Sequence, residues 1–122
     1  MCIRDSIYIV NDAFQHWFCG NFEKYSNNED ALPFDQHELI SMIAPRPVYV
    51  SSGSEDNWAD QKGEYLSLVG ATPVYNLYGY EGFTSTEKPG VEDPETVGRM
   101  GNHDILLYDW TQFINFADKF LK

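Results

Sequence analysis

Two short stretches bring together the residue types of acid–base chemistry. "SSGSEDNWAD", residues 51–60, follows the apolar run "RPVYV" and places Glu55 and Asp56 where that run must end. "GNHD", residues 101–104, sets His103 in a polar loop ahead of a long amphipathic segment. Open α/β sheets carry their chemistry in the turns after the carboxyl ends of strands, so a carboxylate three residues past Gly53 is a candidate acid. Such an acid orients an imidazole and stabilises its charged form while the ring takes and returns a proton. Asp56 is the better candidate, because with Asp56 turned inward its neighbour Glu55 faces solvent. The plainer alternative is that Asp56 only caps the next helix. His103, with no apolar face around it, is poorly explained as a core histidine. His16 and His37 stand beside apolar residues and read as structural, and a metal site built from His16, His37 and His103 has no local spacing motif behind it.

Composition narrows the partners. The chain has 122 residues, 43% of them hydrophobic and 16% aromatic, which is one domain's worth of material for a packed core. A net charge of -11 and the lack of any Lys/Arg cluster argue against nucleic acid and against anionic membrane surfaces. No apolar stretch approaches the ~20 residues of a membrane span. Cys2 and Cys19 have neither metal-ligand nor redox spacing, so they define no disulfide framework and no zinc site. "MCIRDSIYIV" is not a secretory signal, and its opening "MCIRDS" reads as cloning or assembly sequence; residues 1–12 are therefore set aside as non-native, leaving 13–122 as the C-terminal portion of a single domain.

The elements that must position Asp56 and His103 follow from periodicity. "DQHELISMIAP" places Leu39, Ile40 and Ile43 at helical spacing before Pro45 and Pro47 stop it. "PVYVSSG" reads as a short buried strand. "DQKGEYLSLVG" is a helix with Tyr65, Leu66 and Val69 on one face and Gly70 as its C-terminal glycine. "TPVYNLYGY" reads as a second strand, and "EGFTSTEKPGVEDPETVG" as loop until about Val97. "YDWTQFINFADKFLK" carries Trp110, Phe113, Ile114, Ala117, Phe120 and Leu121 on one stripe, a C-terminal helix docked on a core. The aromatic runs "FQHWF" and "YNLYGY" read as core, with some members able to line a cleft. The order implies an α/β chain with a parallel sheet flanked by helices. Parallel strands are buried on both faces and need more partners than these. The expectation is an incomplete sheet, the C-terminal part of a larger α/β domain, aggregation-prone at its open edges.

In α/β-hydrolases the triad runs Ser, then Asp or Glu after a late strand, then His before the last helix, and Asp56 and His103 hold the last two places. No serine here lies in a G-x-S-x-G elbow, and Ser54 is on the acid turn itself. Nucleophile and oxyanion donors are expected upstream, and these residues alone are expected to be inactive.

"FCGNFEKY", "LPFDQHELISMIAPRPVYV", "EDNWAD" followed by "GEYLSLVGATPVY", and "NHDILLYDWTQFINFADKFL" resemble the C-terminal half of the glucuronoyl esterases, carbohydrate esterase family 15. The resemblance implies an α/β-hydrolase fold, no metal or organic cofactor, and cleavage of the ester between 4-O-methyl-glucuronic acid of xylan and lignin alcohols. It implies a plant cell-wall polysaccharide as partner, and a secreted or periplasmic enzyme that is monomeric at full length. Carried over, His103 matches the base, Asp56 the acid that many bacterial members hold after this strand, and Trp58 a tryptophan bordering the sugar site, where rim packing is the plainer role. Some members draw their acid from a glutamate shortly after the serine. Fungal members have a cysteine after the histidine; Asp104 stands there, as in the bacterial type. The family's G-C-S-R-x-G-K serine motif is absent from these residues. Two further readings are another polysaccharide esterase, such as an acetyl xylan esterase, and a non-catalytic carbohydrate-contacting module.

Overall fold

The computed structural model describes residues 3–56, 59–83, 98–99 and 102–121. Its elements in chain order are α1 (Ile3–Ala13), three short 3-10 turns between Gln15 and Ala31, α2 (Gln36–Ser41), β1 (Ser52–Gly53), α3 (Gln61–Asn76), β2 (Gly98–Arg99) and α4 (Leu107–Phe120). Helix α1 runs through most of the segment set aside above. Its Ile7 and Asn11 are buried, and the Asn11 amide donates to the Phe22 carbonyl at 3.2 Å and to Ser26 Oγ at 2.7 Å. That pair of bonds ties the helix to the 3-10 turns beneath it.

Helix α2 begins where the spacing predicts. The Asp35 carboxylate accepts from the Gln36 N–H at 2.7 Å, and Glu38 reaches back to the Asp35 N–H at 3.0 Å, a reciprocal cap worth about 1 kcal/mol. Ile40 is its buried residue. Pro45 follows a cis peptide bond from Ala44.

Three expectations are corrected in the middle of the chain. Gly70 does not end α3; the helix runs on through Pro73 to Asn76, so the start of "TPVYNLYGY" is helical and not a strand. Packing overrides the β-branched propensity there. Tyr65 and Thr72, one heptad apart, are both buried with Ala71, and Thr72 Oγ1 donates to the Leu68 carbonyl at 3.1 Å. Gly70 is needed for close approach instead, since a Cβ there would meet His37 Cβ at 2.9 Å. The chain turns at Gly79, whose φ of +83° suits glycine. The "PVYVSSG" strand, for its part, contracts to β1, because only Ser52 and Gly53 have a partner strand among the described residues. That partner, β2, is a two-residue strand that periodicity cannot signal. The rest of the predicted loop, residues 84–97, lies outside the described residues.

Strands β1 and β2 pair in parallel, Ser52 opposite Gly98 and Gly53 opposite Arg99, with α3 in the crossover between them. Helix α4 is helical as expected but turned from the predicted stripe. Tyr49 packs edge-on against Phe113 and tilted against Phe116, with ring centroids 5.4 and 5.0 Å apart. Asp109 is buried, so the inward line is Asp109, Phe113 and Phe116, an i, i+4, i+7 series. Trp110, Ile114, Phe120 and Leu121 are exposed. The aromatic runs are also corrected. Trp17, Phe18, Tyr78 and Tyr80 are exposed, and Phe14 with Trp17, and Phe18 with Phe22, stack on each other rather than sinking into a core. The buried hydrophobic residues among those described are Ile7, Ile40, Tyr65 and Ala71, a thinner core than the composition suggests.

So little burial set against so many exposed aromatic and aliphatic side chains predicts a loosely packed state for these 122 residues in isolation. They are expected to bind an apolar dye such as ANS and to melt without a sharp transition. A cooperative melt from a dye-silent monomer would contradict this.

Candidate active site

The acid turn grows directly from the end of β1. The Asp56 N–H donates to the Gly53 carbonyl at 3.1 Å, closing a tight turn, and the Ala59 N–H donates to the Asp56 carbonyl at 3.3 Å. Glu55, at the top of the turn, is exposed, while Asp56 folds inward and is 7% exposed. Asn57 and Trp58 lie outside the described residues, and with them the proposed sugar-site tryptophan.

The histidine loop grows from the end of β2 in the same way. Four residues past Arg99, His103 sits in a bend closed by the Asp104 N–H donating to the Asn102 carbonyl at 2.9 Å. The loop then enters α4, where Asp109 Oδ2 accepts from the Leu106 N–H at 2.7 Å. That bond caps the first turn of α4 with a buried carboxylate. Beside it, burial pushes the Tyr49 phenol up to about 12, with Tyr108 and Asp109 adding to the effect. Tyr49 is therefore a neutral packing element at neutral pH, and it fastens α4 under the histidine loop.

Because β1 and β2 are parallel, both loops leave the same end of the pair. The structure thereby brings together residues 47 positions apart: His103 Nδ1 lies 2.6 Å from Asp56 Oδ2. The carboxylate is the buried partner, with 6% of its side chain exposed, while the imidazole is 86% exposed. A carboxylate at this distance favours the tautomer in which Nδ1–H donates to it, so that the Nε2 lone pair is presented outward.

The other histidines are elsewhere. His37 packs over Gly70 between α2 and α3, with Nδ1 3.8 Å from Asp35 Oδ2, and exposed His16 lies edge-on to Trp17. Among the described residues no group of three or more His, Cys, Asp or Glu could hold a metal ion, and no helix is long and apolar enough to cross a membrane. Periodicity had missed Gln61 and Glu64. They lie in the first turn of α3, where Gln61 Nε2 donates to the Gly53 carbonyl and Glu64 Oε2 accepts from Ser52 Oγ. Their i, i+3 spacing after an aspartate and the strand they reach are both visible in the sequence, but the contact between them is not.

The chain is similar to known proteins along most of its length. A family model described as glucuronyl esterase, fungi, matches residues 6–79. A carbohydrate esterase of unknown prokaryotic origin is 42% identical over 119 residues, which is 93% of this chain and 28% of that protein. The 4-O-methyl-glucuronoyl methylesterase 1 of Wolfiporia cocos is 40% identical over 111 residues, 86% of this chain and 24% of that protein. Among solved structures, the glucuronoyl esterase from Solibacter usitatus superimposes with a TM-score of 0.84 at 38% identity, covering 94% of this chain and 31% of that one. A promiscuous CE15 esterase from a marine bacterial metagenome superimposes with a TM-score of 0.81 at 41% identity, covering 93% of this chain and 30% of that one. The chain thus spans between 24% and 31% of the length of these relatives. Of the four, those matched over more than nine-tenths of this chain are prokaryotic. With the family model matching more than half of its residues, the chain belongs to the glucuronoyl esterases, carbohydrate esterase family 15.

Proposed function

We propose that these residues supply the acid and the base of a Ser–Asp–His triad in a longer esterase of the α/β-hydrolase fold, acting on the ester between 4-O-methyl-glucuronic acid of xylan and lignin alcohols. The observation that carries this reading is the 2.6 Å contact from His103 Nδ1 to Asp56 Oδ2, with the imidazole otherwise exposed. His103 Nε2 takes the proton from a serine hydroxyl contributed by the rest of the longer protein as that oxygen attacks the ester carbonyl. It then returns the proton to the departing alcohol. A water follows the same route to release the glucuronic acid. Asp56 keeps the ring in the tautomer that presents Nε2 and stabilises the imidazolium formed in each half-reaction. Its own low exposure strengthens that stabilisation. The substrate class rests on the family and on relatives named as 4-O-methyl-glucuronoyl methylesterases. By the same reasoning the longer protein is secreted or periplasmic, needs no cofactor, works as a monomer, and uses Trp58 on the rim of the sugar site.

Two tests follow. These 122 residues alone are expected not to hydrolyse a glucuronate ester, because an acid–base pair without nucleophile and oxyanion donors forms no acyl-enzyme; hydrolysis abolished by His103→Ala would overturn that. In the longer protein, Asp56→Asn is expected to lower kcat by about 10⁴-fold with little change in KM, since it disturbs the tautomer and charge of His103 rather than binding. A kcat within a few-fold of the parent would move the acid to a carboxylate elsewhere.

A further inference from the structure

We infer that Gln61 and Glu64 form a clamp that positions the acid turn. The residues of β1 are both gripped by the first turn of α3. Glu64 Oε2 accepts from Ser52 Oγ, and Gln61 Nε2 donates to the Gly53 carbonyl. Residues three apart share a helix face, so one face of α3 reaches two consecutive strand residues. The Gly53 carbonyl is the joint of the arrangement. It also accepts the Asp56 N–H at 3.1 Å, so the oxygen that closes the acid turn is the one that the Gln61 amide holds in place. Among the described residues the β1 ladder is two residues long, and the clamp adds a side-chain restraint at its end. Through these bonds Gln61 and Glu64 act on the backbone that carries Asp56 and are positioning residues. The importance of the clamp for turnover rests on the triad reading above.

The experiment uses the longer protein, with His103 labelled for imidazole ¹⁵N spectra. The parent is expected to show His103 mainly as the Nδ1–H tautomer. Gln61→Met, which keeps the shape and removes the donor, is expected to convert it to a tautomer mixture and to lower kcat by about tenfold to a hundredfold, the scale of an ångström-sized misplacement, with KM within twofold. Glu64→Leu is expected to do the same, whereas Glu64→Gln, which keeps an oxygen acceptor for Ser52, is expected to match the parent. A parental tautomer and kcat in both Gln61→Met and Glu64→Leu would overturn the clamp. So would equal losses in Glu64→Gln and Glu64→Leu, or a rise in KM matching any fall in kcat. If Asp56→Asn leaves turnover intact, the triad reading fails while the tautomer spectra still decide the clamp.

Discussion

The parallel register of Ser52 with Gly98 and Gly53 with Arg99 is the constraint on which the site depends. Parallel strands point their carboxyl ends the same way, so the turn after each emerges on one edge. Asp56 follows the first strand by three residues and His103 follows the second by four. Antiparallel pairing would send the two loops to opposite ends and keep the two side chains apart. Among the described residues, the two paired positions of each strand are enough to set this direction.

Around that register the chain arranges its restraints asymmetrically. Asp56 is the buried member, held through the Gly53 carbonyl and the first turn of α3, whereas His103 is an exposed ring on a loop tied at its far end by Asp109. The asymmetry suits proton transfer. In the proposed triad a fixed carboxylate would set the orientation and charge of the imidazole, and an open Nε2 edge would leave room for a hydroxyl and for an ester oxygen to approach. Tyr49, wedged on Phe113 and Phe116, keeps α4 and therefore the histidine loop in register with the strands.

Much of this was legible in the residues, and the failures have physical causes. Asp56, His103 and the exposed Glu55 could be placed because glycines, proline runs and polar loops mark where strands end. Helix α2 was legible in the helical spacing of Leu39, Ile40 and Ile43 ahead of Pro45 and Pro47. "TPVYN" misled because β-branched residues describe local preference, while Tyr65 and Thr72 gain more by staying on one buried helix face. Strand β2 has no periodicity to detect. The facing of α4 was misjudged because hydrophobicity alone ignores a buried Asp109 that serves as a cap. The aromatic runs misled for a related reason: sequence counts apolar side chains, but burial requires a second surface, and the surfaces beside Trp17 and Tyr80 are open.

The most direct measurement of the account is a crystal structure of the longer protein with a glucuronate ester analogue bound. The account predicts His103 Nδ1 on Asp56 and His103 Nε2 within hydrogen-bond reach, about 2.6–3.2 Å, of a serine hydroxyl aimed at the carbonyl carbon. A structure with another carboxylate on Nδ1 and Asp56 turned away to cap α3 would contradict it.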